Sequence, residues 1–412
     1  MPLSALDIVS IFGSVFTMYF AFVYVLIYFF NKKKFLSNPP LPKKLPKVSI
    51  IVPAYNEGKT IALTLKSLMG LNYPKKLLEV IAVNDGSADE TRKIMESFKG
   101  QGVKVINKVN GGKASALNAG IKKSTGEIVV CMDADSIVDK NALRKTLGYF
   151  SNPEVAAVAS SVKVLNPKSM IQKFQFLEYL YNILLRKSLS FLDSIFVVPG
   201  PFGLYRKSVL EKIGGFEEGN LTEDMEITMR IQNKGYKVEA ATDAFTYTIS
   251  PSGVRKLVNQ RVRWYRGFLI NSKKYKELYL NPKYGDLGMF TLPAYVLLVF
   301  VLFVLILSMS YMFTNTIFHF FNVRMISGIF LTPIEIVNPI LYTSALTVLW
   351  LTSITTSLVV FYLGFKVSKE KIKLKMIPVY LMSALFYGFI LAYTWSVSLL
   401  KELKGEKIKW ER

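Results

Sequence analysis

Cysteine and histidine are nearly absent from this chain of 412 residues: it contains one of each. A single cysteine excludes an internal disulfide, and Cys131, set in the apolar run Ile128-Val129-Val130-Cys131-Met132, reads as a small core residue. His319 sits among Phe318, Phe320 and Phe321 with no second ligand type near it in sequence, which argues against a metal site there. Acidic residues are also scarce, 29 against 52 Lys and Arg, for a net charge of +23. Nucleic acid is the reflex reading of such a balance. Lysines and arginines facing anionic lipid explain it better here, because charge is missing altogether from four stretches: 8–30, 287–313, 336–365 and 376–400. About 20 apolar residues span a bilayer core, so each stretch is long enough. The absence of charge within them argues against an ion or proton pathway. The first could be a cleavable signal. It is too long for that, lacks a basic leader and ends in bulky Tyr28, Phe29 and Phe30, so it reads as an anchor. The chain as a whole is 51% apolar and 13% aromatic, above what soluble proteins usually carry.

Charge also predicts topology. Lys32-Lys33-Lys34 follow the first run and place residues 31–286 in the cytoplasm by the positive-inside rule. Residues 314–335 hold Arg324 as their one basic residue and fit outside, whereas Lys366, Lys369, Lys371, Lys373 and Lys375 fit inside. Lys401, Lys404, Lys407, Lys409 and Arg412 would then fall outside. Either this tail breaks the rule, or one C-terminal segment does not fully cross. The expected organisation is a transmembrane helix over 1–31, a cytoplasmic domain over 32–275, about three transmembrane helices over 276–400 and a basic tail over 401–412.

The cytoplasmic part alternates strands and helices. Val48–Val52 is a short buried strand ended by Pro53, and Ile61, Leu65 and Leu68 recur at helical spacing. Val80–Val83 is a second strand, closed by the turn Asn84-Asp85-Gly86-Ser87. A helix over Ala88–Phe98, a strand over Val103–Ile106, a helix after Gly111-Gly112 and a strand over Ile128–Met132 follow. This alternation predicts a parallel sheet with helices on both faces. Ligands bind beyond the carboxyl ends of such strands, where Tyr55-Asn56-Glu57, Asp85 and Asp133-Ala134-Asp135 lie. Two later segments, near 168–192 and 253–275, mix apolar helical spacing with lysine and arginine. They fit helices on a membrane surface or ordinary amphipathic helices against the sheet.

Three acidic points carry the chemistry. Asp133 and Asp135, spaced one apart at a strand end, can hold a hard divalent cation that also contacts a diphosphate. Lys113 can add a point charge to the same phosphates at the N-terminus of the helix it opens. Glu223 and Asp224 open a helix after Thr222, and Asp224 can act as general base on a hydroxyl. Thr222-Glu223-Asp224 is equally an ordinary capping pattern. In Gln260-Arg261-Val262-Arg263-Trp264 an indole can stack on a sugar ring and a guanidinium can clamp a diphosphate.

With these residues in order, the chain resembles the processive family-2 inverting glycosyltransferases, the hyaluronan, chitin, cellulose and poly-N-acetylglucosamine synthases. The likeness covers about residues 47–275 and rests on Val52-Pro53-Ala54-Tyr55-Asn56-Glu57, Asn84-Asp85-Gly86-Ser87, Gly112–Asn118, Asp133-Ala134-Asp135, Thr222-Glu223-Asp224 and Gln260–Trp264. It implies an α/β GT-A-type, Rossmann-like nucleotide-sugar domain plus an α-helical transmembrane region. It also implies a UDP-sugar donor, which is anionic, and Mg2+ or Mn2+ on Asp133 and Asp135. Pro53, Tyr55, Glu57, Asp85, Lys113, Asp133, Asp135, Gln260, Arg263 and Trp264 would then bind the nucleotide sugar. Asp224 would be the base, with Glu223 beside it. Gly200, Pro201 and Tyr205, within a segment similar to an acceptor pocket, would meet the acceptor together with Trp264. The partners so implied are a nucleotide sugar, a glycan or lipid acceptor and the bilayer of the plasma membrane, with a homo-oligomer or export partner left open and nucleic acid excluded. Larger polysaccharide synthases have more spans than the four counted here. Ceramide glucosyltransferases carry a similar acidic set and a similar layout but transfer one sugar to a lipid, which is the alternative. Polyprenyl-phosphate sugar synthases generally lack the Gln-x-x-Arg-Trp element. An inactive scaffold would be expected to have lost one of the acidic residues, and none is lost.

Overall fold

The structure is a computed structural model that describes residues 5–327 and 345–406. The first part of the 336–365 run and the tail residues Lys407, Lys409 and Arg412 lie outside the described residues. Eight strands form one sheet in the order β3-β2-β1-β4-β7-β6-β8-β5. They are β1 (Val48–Ala54), β2 (Leu78–Asp85), β3 (Val103–Lys108), β4 (Ile128–Cys131), β5 (Ser136–Val138), β6 (Val155–Val164), β7 (Gly203–Arg206) and β8 (Lys237–Thr248). The four strands expected from sequence are parallel to one another. The sheet as a whole is mixed, because β7 runs antiparallel to β4 and β6, and β5 antiparallel to β8. β1 and β4 are buried at every position, as central parallel strands require.

One expectation is corrected. β1 does not stop at Pro53 but continues to Ala54, with Pro53 opposite Val83 of β2. A proline is tolerated so near the sheet centre because the β4 ladder has already ended at Ile51 and Cys131, so no donor is needed on that side. The expected helix over Ala88–Phe98 begins later, at Thr91, where Asp89 accepts from the Thr91 amide and hydroxyl and so delays the first turn.

Both amphipathic segments are helices: Met170–Phe191, opened by a capping box of Ser169 and Gln172, and Val254–Lys274. Outside the domain, Ile11–Phe30, Leu287–Ser308 and Leu374–Leu403 are long and apolar enough to cross a membrane, and Leu351–Val367 is a shorter apolar helix. Exposed Phe12, Phe22, Phe300, Leu307 and Leu358 on them suit lipid rather than water. The N-terminal helix packs Tyr28 with Phe35, Ile183, Leu184, Val360 and Leu363, which fixes the domain against the apolar helices.

The last apolar helix touches the domain at both ends. Just before it, Lys369 pairs with Asp243 at 3.1 Å and Glu370 with Lys163 at 2.7 Å. At its far end Glu402 pairs with Arg266 at 2.5 Å, and Arg266 also donates to the Glu406 carbonyl at 2.7 Å. Between them Trp395 stacks on Tyr265 of the Val254–Lys274 helix, with ring centroids 4.1 Å apart and planes within 7°. Both ends therefore contact the domain. A membrane-impermeant maleimide should accordingly reach Glu406→Cys from the same side as Lys99→Cys on the domain surface, over little background because Cys131 is buried. Labelling of the two from opposite sides would contradict this path.

Candidate functional site

The site begins with the strand order. β2, β1 and β4 are adjacent and parallel, so Asp85, the 55–57 loop and Asp133 leave the sheet at one edge. β7 runs the other way and enters at that edge, which brings Gly200–Gly203 beside Asp133.

At the centre is Lys113, the first residue of the Lys113–Lys123 helix. Its Nζ lies 2.6 Å from Asp133 Oδ1 and 2.8 Å from Glu223 Oε1. Burial alone would lower its pKa, but Asp133 and Glu223 hold it well above the ordinary value. Glu223 is likewise kept below the usual carboxylate range despite burial, chiefly by the charge of Lys113. Its neighbour behaves in the opposite way. Burial, and then the charge of Glu223, push Asp224 up to about 6. Two adjacent carboxylates are thus set apart: one paired and ionised, one poised to take a proton.

Asp85, at the end of β2, is tied to the loop that follows β3. It is buried, and its carboxylate accepts from the amides of Gly111 at 3.0 Å and Gly112 at 2.8 Å and from Lys108 Nζ at 2.7 Å. These bonds shape the loop that presents Lys113. Gly112 has φ 85°, a region that suits glycine, at the helix N-cap. Tyr55-Asn56-Glu57 is knitted to the next loop: Asn56 donates its amide to Ser87 and accepts from the Ala88 amide, and the Glu57 amide donates to Thr91.

Thr222 does not cap its helix. Its hydroxyl accepts from Asn271 at 3.0 Å, and a Cβ on Gly267 would collide with its side chain. Asn271 and Gly267 belong to the Val254–Lys274 helix, so glycine at 267 lets that helix approach Glu223 and Asp224 closely. Glu226 adds to this tie through Tyr275 at 2.5 Å and Lys274 at 3.0 Å. Gln260, Arg263 and Trp264 are thereby fixed relative to Asp224. Arg263 donates to the Leu221 carbonyl at 3.0 Å, and its charge favours ionised Glu223 and Asp224. Gln260 Oε1 is buried and has no protein hydrogen-bond donor.

In the Gly200–Gly203 segment, a Cβ on Gly200 would lie 2.6 Å from Lys113 Nζ and 2.9 Å from both Asp133 oxygens. Phe202 is fully buried with φ 61°, an unusual conformation for a bulky residue that its packing over-determines. Tyr205 is corrected. It is 1% exposed and lies in the core against Phe216, with no surface to offer an acceptor. Gly267, Asn271 and Glu226 were missed from sequence because their roles arise from contacts between distant segments.

A divalent cation fits one part of this site. Burial, then the charges of Asp133 and Glu57, push Asp135 up to about 6, so negative charge is crowded at this point of the site. Among the described residues no group of three or more His, Cys, Asp or Glu could hold a metal unaided. One or two carboxylates completed by substrate phosphates is the usual arrangement for magnesium.

Residues 49–214 match the family described as Glycosyl transferase family 2. The chain is 34% identical over 250 residues to a poly-beta-1,6-N-acetyl-D-glucosamine synthase of Staphylococcus epidermidis, and 32% identical over 262 residues to one of Staphylococcus aureus. These cover 59% and 63% of this chain and 60% and 62% of the relatives, so the chain spans about three fifths of their length. Among solved structures it resembles a mannosyltransferase from Pyrobaculum calidifontis in complex with GDP-Man and Mn2+, with a TM-score of 0.63 and 20% identity over 97% of this chain and 100% of that one. That likeness shows the fold: a GT-A domain joined to a helical membrane region.

Gly200→Ala tests the geometry. The added methyl meets Lys113 and Asp133, so nucleotide-sugar binding should weaken at least about tenfold in calorimetry while the far-ultraviolet circular dichroism spectrum stays unchanged. Binding equal to wild type would show that the cluster tolerates a Cβ there.

Proposed function

We propose that this protein is a membrane-bound inverting glycosyltransferase that uses a UDP-sugar and a divalent metal to add β-linked sugar to a growing polysaccharide. The observation that carries the reading is the Lys113–Asp133–Glu223 cluster with Asp224 beside it, closed by the Gln260–Trp264 face. The staphylococcal relatives favour N-acetylglucosamine as the sugar and a β-1,6-linked glycan as the product. The domain would face the cytoplasm of a multi-pass protein in the plasma membrane, where the donor is made.

The chain's residues divide the work. Tyr55, Glu57 and Asp85, with Pro53, border the uridine side. Asp133 and Asp135 would hold the cation, which when bound supplies Lewis-acid stabilisation of the departing diphosphate. Lys113 and Arg263 add positive charge near the same diphosphate, and the buried Gln260 amide oxygen, an acceptor, would take a donor such as a sugar hydroxyl. Trp264 offers an aromatic face to the acceptor sugar. Asp224 takes the proton of the acceptor hydroxyl as that oxygen attacks the anomeric carbon from the face opposite the nucleotide. The bond from that carbon to the diphosphate oxygen breaks, UDP leaves with the electron pair, and configuration inverts.

The first test is UDP release by the purified protein with magnesium or manganese, across UDP-sugars and GDP-mannose, with products sized on a gel. A polymeric product from UDP-N-acetylglucosamine is expected. One small lipid product would move the reading to glycolipid synthesis.

Asp224→Asn should lower turnover by at least about 10²-fold while nucleotide binding is retained. The same substitution should raise the thermal midpoint at neutral pH. The carboxyl's folded pKa, about 6, lies above its ordinary value, so ionisation disfavours the fold; that cost is absent in strong acid and complete above about pH 6. Wild-type turnover should fall as pH drops through about 6, where the base becomes protonated. Retained activity in Asp224→Asn would rule out this base.

A further inference from the structure

Arg261 lies within the Gln260–Trp264 motif, yet it has no part in the chemistry just described. It is 1% exposed, the largest fully buried side chain among the described residues. A residue so covered is out of reach of nucleotide, sugar or acceptor. Its guanidinium is surrounded by Glu178, Trp264 and the hydroxyls of Tyr179 and Tyr387. Nη2 lies 2.5 Å from Glu178 Oε2 of the Met170–Phe191 helix. The guanidinium carbon sits 4.0 Å from the ring centroid of Trp264, one turn along the same helix. Glu178 Oε2 also accepts from the Tyr387 hydroxyl at 2.7 Å, and Tyr387 belongs to the last apolar segment. Arg261 Nε and Nη1 have no hydrogen-bond partner. A plain structural arginine would ordinarily use those donors, since burying them unmet is costly. What they leave intact is the flat guanidinium face lying on the indole.

We propose that Arg261 is a positioning residue for Trp264: it sets the angle of the indole that meets the acceptor sugar, and is itself held by Glu178 and Tyr387. The inference rests on the glycosyltransferase reading of this site. It makes acceptor recognition depend on three helices at once, Met170–Phe191, Val254–Lys274 and the segment containing Tyr387, of which only the second carries the acceptor-side tryptophan. The acceptor site is therefore assembled only when the last apolar helix is seated on the domain.

The test uses the full-length protein in nanodiscs, with donor and acceptor-oligosaccharide KM measured separately. Arg261→Met should raise the acceptor KM about tenfold and leave the donor KM within about twofold. Arg261→Lys, which keeps a cation but not the planar face, should fall between. In a Trp264→Phe background Arg261→Met should add little, because the partner it positions is gone. Tyr387→Phe removes one hydroxyl and keeps the packing, so it carries the test should Arg261→Met fail to fold; it should raise the acceptor KM in the same direction. An unmoved acceptor KM in folded Arg261→Met or Tyr387→Phe, or an equal rise in donor KM, would overturn the proposal. A second readout needs no activity: the near-ultraviolet circular dichroism contributed by Trp264, obtained by difference against Trp264→Phe, should change in Arg261→Met, and an unchanged band would also overturn it. A wild-type protein that turns over no nucleotide sugar would instead count against the functional reading, with the circular dichroism still deciding the role of Arg261.

Discussion

The structure of the site depends on one ammonium group. Lys113 Nζ joins Asp133, from the end of β4, to Glu223, from the start of the Glu223–Asn233 helix. Without that cation these carboxylates, with Asp224 and Asp135 close by, would be a negative cluster short of compensating charge, which is costly where it is buried. With it, Glu223 is neutralised in place and Asp224 is left as the group whose proton affinity is raised. Other features follow from placing Lys113. Asp85 shapes the loop before it, Gly112 supplies the backbone conformation, and Gly200 keeps the neighbouring segment close without a methyl in the way.

The second constraint is the approach of the Val254–Lys274 helix to the base. Gly267 and Asn271 meet Thr222, and Lys274 and Tyr275 meet Glu226, so the helix is fixed at three of its residues, and at Tyr275 just past its end, to the segment that carries Asp224. On its other side it receives Trp395 and Glu402 from the last apolar helix. One amphipathic helix thus faces chemistry on one side and the membrane-proximal helices on the other. That position gives a physical route by which a lipid environment can affect sugar transfer.

Much of this was legible in the sequence, for a physical reason. β1, β2 and β4 are short buried runs ending in polar turns, and parallel strands bring such ends to one edge, so Glu57, Asp85, Asp133 and Asp135 could be placed together from periodicity alone. The pairing of Lys113 with Glu223 could not, because it joins residues far apart in the chain. The same holds for Glu178 and Tyr387, separated by about 200 residues and joined through one carboxylate oxygen. Tyr205 was misread because a motif fixes neighbours along the chain but not which face of a strand is turned to the core. Pro53 was misread because proline ends a strand only where its missing donor is needed. The basic tail gave a warning instead: its charge conflicted with four full crossings, and Glu402 and Arg266 show the helix end back at the domain.

The most direct measurement of the central claim is nucleotide-sugar binding by Lys113→Met, followed calorimetrically in the folded, full-length protein. Binding should be lost, and the variant should become less stable as pH rises through the carboxylate range, because Glu223 then ionises without its partner. Binding and pH-stability equal to those of the wild type would contradict it, and would mean that the carboxylates are organised by something other than this lysine.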